Sequence, residues 1–185
     1  SAADISLQRA ATTHALEFDI GKRDQHELFM QQCKSMLGHI DAIFFCHGQM
    51  FDQAQAERDP EAAASMLDIN YTATVLLANR MVEHMRERDA GVLCFVSSVA
   101  GDRGRQSNFI YGSSKAALNT YVAGLQHRLV PCNVHALLVK PGFVDTAMTW
   151  GVPGMFLVAS PEKVAADIWR AIRKRKHVLY TPWFW

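Results

Sequence analysis

A chain of 185 residues, 49% hydrophobic and 20% charged, carries enough apolar material for one sizeable core and is read as a single domain over 1–185. Its formal net charge of +1, with no basic cluster beyond RKRK at 173–176, argues against a nucleic-acid surface; that run reads as a solvated helix end. Cys33, Cys46, Cys94 and Cys132 lie far apart with no CxxC pair, which signals neither a zinc site nor a disulfide framework. With no signal peptide and no run of about 20 apolar residues, a cytoplasmic location is the expectation.

In chain order, short apolar runs at 15–20 (ALEFDI), 41–46 (DAIFFC), 92–97 (VLCFVS), 134–139 (VHALLV) and 177–180 (HVLY) predict buried strands. Between them, apolar residues recur every three or four positions at 23–37, 61–88, 109–129 and 161–175, which predicts helices. Ser160 can cap the last of these, with Pro161 in its first turn. Strands apolar on both faces, alternating with helices, predict an α/β fold: a doubly wound, mainly parallel sheet with helices on both faces. Ligands bind such sheets at the carboxyl ends of the strands. There the chain reads CHGQM, SSVAG and KPGFVDT, with small residues where backbone can approach a ligand.

Tyr111 and Lys115 in YGSSK are spaced i, i+4 on one helix face, so the ammonium can favour ionisation of a phenol whose ordinary pKa is about 10. Taken alone, the pair is also compatible with ordinary helix packing. Ser98, 13 residues before Tyr111 at a strand end, shares a rim with the helix start and can bond the substrate oxygen that Tyr111 protonates. No GxSxG elbow or partner base points to a nucleophilic serine.

These motifs, SSVAG followed by YGSSK and KPGFVDT, with Asn70 in LDINYTATV, resemble the short-chain dehydrogenase/reductase family from about Asp19 to the end of the chain. The resemblance implies a Rossmann-like fold and a NAD(P)-dependent oxidoreductase that interconverts a carbonyl and a secondary alcohol. Tyr111 would be the general acid/base and Ser98 would orient the carbonyl. Lys115 would lower the Tyr111 pKa and bind the nicotinamide ribose, and Asn70 would hold a water linking Lys115 to solvent. For NAD or NADP, Asp19 and Ile20 would meet the adenine and Gly48 would pass the adenosine ribose. Pro141, Gly142, Val144 and Thr146 would form the turn facing the carboxamide and phosphate, beside Tyr111 and Lys115. A dimer through helices 61–88 and 109–129 is also implied, with Leu76, Leu77, Leu118 and Val122 divided between core and partner.

Two departures qualify the match. Phe45, Cys46, His47 and Gly48 stand where the family commonly has Asn-Asn-Ala-Gly, and no TGxxxGxG phosphate loop exists in the chain. The expectation is an N-terminally incomplete domain, a fragment short of a βαβ unit of about 40 residues, with weak cofactor affinity by itself and a gap in mid-sheet. The rival reading is a non-catalytic binding or scaffold module. By the resemblance, the loop MTWGVPGMFLVAS at 148–160, with Met148, Trp150, Met155, Phe156 and Leu157, covers the substrate and suggests a bulky apolar or lipid-linked carbonyl compound; taken by itself it equally suits a hydrophobic cover for the sheet. The ending YTPWFW resembles an interfacial anchor and the endings of relatives of the decaprenylphosphoryl keto-sugar reductases, so peripheral membrane contact is expected.

Overall fold

The computed structural model describes residues 12–146, 148–149 and 157–185. A 3₁₀ turn, Arg23–Gln25, leads into α1 (His26–Leu37), followed by β1 (Ala42–Phe45), α2 (Gln53–Arg58) and α3 (Pro60–Leu67). A π-helical turn, Asp68–Thr72, joins α3 to α4 (Ala73–Arg88). Then come β2 (Gly91–Val96), a 3₁₀ turn Val99–Gly101, α5 (Phe109–Arg128), β3 (Val134–Pro141), α6 (Pro161–Arg173) and β4 (Val178–Thr181). The four strands form one sheet in the order β1-β2-β3-β4, parallel at every pairing.

Local chemistry sets the helix ends. The Asp59 carboxylate accepts from the Glu61 and Ala62 amides with Pro60 in the first turn of α3, and Ser160 accepts from the Lys163 amide at the start of α6, both supplying acceptors to otherwise unpaired N–H groups. Gly38, at φ 73°, ends α1 in a conformation that favours glycine.

β3 is buried from Val134 to Val139, because α4 and α5 cover one side of the sheet and α6 the other. On the first side Leu93, Phe95 and Leu138 pack with Leu77, Met81, Met85, Leu118 and Val122. On the second, Cys94, Leu137 and Val139 pack with Val164, Ile168 and Ala171. Each such large side chain contributes roughly 1.5–3 kcal/mol through removal from water. Of the four residues expected to divide between core and partner, Leu77, Leu118 and Val122 are buried while Leu76 is 40% exposed.

Three expectations change. ALEFDI is not a strand: residues 12–19 have no regular structure and a turn follows at 20–21. β1 is the edge of the sheet, with Phe44 46% exposed, so among the described residues this segment has no strand beside it with which to pair. Its apolar residues are held by α1 instead, Phe18 stacking on Phe29 at 3.9 Å, and the four strands follow one another without the expected gap. The helix at 61–88 is broken by the π turn, whose carbonyl at Ile69 accepts from the Thr74 hydroxyl. Finally, α2 forms before it because Asp52 caps the Gln55 amide.

Candidate active site

The pairings Phe45↔Phe95 and Val96↔Val139 bring the carboxyl ends of β1, β2 and β3 to one rim, so the segments 46–49, 97–101 and 141–146 lie along it. The start of α5 meets that rim. Two glycines permit the approach: a Cβ on Gly101 would lie 2.8 Å from the Ala116 nitrogen and the Lys115 carbonyl carbon, and one on Gly112 would lie 2.7 Å from the Ala100 oxygen. The turn after β2 therefore presses on the first turns of α5. Ser97 adds a bond from its hydroxyl to the Asn119 side chain at 2.6 Å, and Asn119 donates to the Gly101 carbonyl at 3.3 Å.

This interlock brings Ser98 to Tyr111. The Ser98 oxygen accepts from the Ala100 amide at 3.1 Å, and its side chain lies near enough to the Tyr111 phenol to favour ionisation slightly. Burial pushes Tyr111 up to about 12, against that smaller lowering by Ser98. Lys115 is 3% exposed, and burial pulls its ammonium down to about 8, partly offset by Cys46. Its Nζ lies 5.7 Å from the Tyr111 ring centroid and donates to the Val96 carbonyl at 3.1 Å. The expected lowering of the phenol pKa by Lys115 is therefore not seen in this state: the ammonium bonds Val96, and desolvation dominates at Tyr111.

Asn70 acts as a clamp. Its Oδ1 accepts from the Gln49 amide at 2.7 Å, while its Nδ2 donates to the Gln49 carbonyl at 2.8 Å and to Ser114 Oγ at 3.1 Å. The amide expected to organise a water is thus engaged in fixing the segment after β1 against α5. Gly48 rides beside it: a Cβ there would lie 3.4 Å from Asn70 Oδ1 and 3.5 Å from both Lys115 Nζ and Met148 Cε. His47, one residue earlier, has Nε2 2.7 Å from Thr74 Oγ1. The Thr74 hydroxyl spends its one proton on the Ile69 carbonyl, so it accepts from His47, whose Nε2 carries the proton. Burial and Lys115 bring His47 down to about 4, which keeps the ring neutral near pH 7.

The remaining expected residues lie in two places. Pro141 ends β3, and the Gly142 amide donates to the Thr181 carbonyl at 3.1 Å. Trp185 packs so closely on Gly142 that any Cβ there would meet its indole nitrogen at 2.0 Å. Val144 bridges to Ala159, and the Thr146 amide donates to Thr149 Oγ1 at 3.2 Å. Asp19 is exposed, its carboxylate accepting from the Gly21 amide at 2.9 Å, and Gly21 packs on Ile69 beside Asn70. Ile20 offers its carbonyl to His26 at 2.7 Å. Met148 and Leu157 are 39% and 57% exposed; Trp150, Met155 and Phe156 lie outside the described residues. Sequence reasoning missed the positioning roles of Gly101, Gly112, Ser114 and Gln49, although the two glycines stand inside the motifs already singled out. Among the described residues, no group of three or more His, Cys, Asp or Glu side chains could hold a metal ion.

Chemically, the arrangement sets two hydroxyl groups, from Ser98 and Tyr111, where one oxygen of a bound molecule can bond both, with a buried cation alongside. Among solved structures, a short-chain dehydrogenase from Sphingobium yanoikuyae in complex with NADPH matches with a TM-score of 0.86 at 19% identity, over 98% of this chain and 72% of that one. A 3-oxoacyl-[acyl-carrier protein] reductase from Brucella melitensis in complex with NAD matches at 0.84 and 20%, over 97% and 79%. An uncharacterised oxidoreductase of Mycobacterium tuberculosis is 35% identical over 182 residues, 98% of this chain and 73% of the relative. With the short chain dehydrogenase family model matching residues 2–154 as well, the chain belongs to the short-chain dehydrogenase/reductase family.

Proposed function

We propose that the protein is an NAD(P)-dependent oxidoreductase that interconverts a carbonyl and a secondary alcohol. The observation that carries this is the Ser98–Tyr111 hydroxyl pair beside the buried Lys115 ammonium. In the reducing direction Tyr111 gives its proton to the carbonyl oxygen while Ser98 donates a hydrogen bond to that oxygen; in the oxidising direction Tyr111 takes the proton back. Nicotinamide supplies the hydride when bound, because no side chain can.

The residues present suit the nicotinamide-ribose half of that cofactor. Lys115 gives one proton to Val96 and retains two for ribose hydroxyl groups, and Gly48 leaves backbone access beside it. The loop holding Val144 and Thr146 supplies further polar groups for the carboxamide, and Asp19 with Ile20 is assigned to the adenine. The raised Tyr111 pKa would fall once ribose hydroxyl groups draw the ammonium into a network that includes the phenol. Met148, whose methyl lies close to Gly48, and the apolar Leu157 favour a bulky apolar or lipid-linked substrate. A homodimer through α3–α4 and α5, exposing Leu67, Leu76 and Phe109, completes the assignment.

The test is thermal shift and nicotinamide fluorescence of the intact protein with NADH and NADPH, followed by turnover on a panel of small polar and bulky apolar ketones. Binding with turnover supports the assignment. A protein that binds neither dinucleotide would be the non-catalytic scaffold instead.

A further inference from the structure

The surface farthest along the sheet from β1 has no role in the chemistry above. α6 and the edge strand β4 enclose a groove of about 530 Å³, lined by Lys163, Asp167, Arg170, Lys174, Lys176 and Trp183 among others. Its single lining carboxylate is already engaged: Asp167 accepts from Arg170 at 2.8 Å and from the Thr181 hydroxyl at 2.9 Å. Lys163, Lys174 and Lys176 then have no ion-pair partner among the described residues. On a chain of net charge +1, this is a local concentration of positive charge rather than a general one.

The rim is aromatic. Trp183, in the groove lining, is 85% exposed and its neighbour Phe184 44% exposed, both just beyond Pro182 at the end of β4. Large apolar side chains left in water beside several cations match the two terms that hold a protein on a membrane surface, aromatic insertion at headgroup depth and attraction to anionic lipid. An acidic soluble partner would use the charge and leave the aromatics unexplained. No helix described is long and apolar enough to cross a membrane, so contact from this face would be peripheral.

We propose that the α6–β4 groove and its aromatic rim form a docking surface for an anionic lipid bilayer. The cations bind phosphate headgroups while Trp183 and Phe184 enter the interface. The surface stands independently of the oxidoreductase assignment, since its test needs neither cofactor nor substrate.

Vesicle co-sedimentation decides it, comparing phosphatidylglycerol-containing with pure phosphatidylcholine vesicles at low and high salt. Binding should require the anionic lipid and fall with salt. The double change Lys163→Gln with Lys174→Gln should weaken partitioning by about thirtyfold, from about fivefold per cation, and Trp183→Ser should lower it separately. Lys22→Gln, at the loop before α1, should leave it unchanged, and far-UV circular dichroism should show all variants folded. Brominated phosphatidylglycerol should quench the wild-type tryptophan emission more than that of Trp183→Ser. No binding, equal binding to both vesicle types, or self-association in sedimentation velocity abolished by the same variants would overturn the proposal, the last by assigning the face to a second copy.

Discussion

Replacing Lys115 by Met should raise stability at neutral pH while removing activity, because the buried ammonium is held against its own solvation. Tenfold in a proton-binding constant is about 1.4 kcal/mol. The fall from 10.5 to about 8 thus means that the charged form costs the fold about 3 kcal/mol at pH 7. Methionine keeps most of the length without the charge, but it also removes the bond to Val96 O, and an unpaired buried carbonyl costs about 1–3 kcal/mol. The expected net gain at pH 7 is about 1 kcal/mol. The pH dependence is sharper. Between pH 8 and 10.5 the unfolded wild-type chain binds more protons than the folded one, so this group's contribution rises with pH. The cost is fully present below 8 and gone above 10.5. Urea unfolding of both proteins from pH 7 to 10.5 should therefore show the variant's advantage shrinking by about 3 kcal/mol. Tyr111, Tyr121 and Cys94 titrate in both proteins and largely cancel in the difference. A constant difference across that range would refute the account of Lys115 as a desolvated cation.

Gly101→Ala should destabilise by about 1–3 kcal/mol, since its Cβ would meet backbone at 2.8 Å, and should depress kcat by parting Ser98 from Tyr111; chemical denaturation with turnover checks both, and an unaltered kcat would contradict the interlock. His47, brought down to about 4 by burial and Lys115, favours folding in its neutral form, so its contribution is lost as pH falls from 6.5 toward 4. His47→Gln should flatten the acid limb of the stability profile, whereas an unchanged limb would show that other groups cause it. Leu76→Glu, on the exposed part of α4, should convert the intact protein to monomer in sedimentation equilibrium; an unchanged mass would move the interface elsewhere.

Much of the sheet and site was legible because the physics is local. Four strands follow apolar runs, and the Pro161 start of α6 follows its cap and proline. Tyr111, Ser98 and Lys115 meet because a strand end and the next helix start share a rim in any parallel sheet. What escaped was set by partners. ALEFDI has the composition of a strand, but pairing needs a neighbour, and β1 remains an edge. The π turn depends on the Thr74 hydroxyl reaching Ile69, which periodicity does not encode. The Asn70 clamp on Gln49 links residues 21 apart in sequence, and the tyrosine pKa depends on burial that spacing cannot report.

The most direct test is Tyr111→Phe in the intact protein, measured by pre-steady-state hydride transfer from NAD(P)H to a ketone that the wild type reduces. The ring and its packing remain while the proton donor is lost. Cofactor affinity and unfolding midpoint should stay near wild type, and the hydride-transfer rate should fall about 10²–10⁴-fold. A variant that transfers hydride at the wild-type rate would contradict the assignment of Tyr111 as the acid/base.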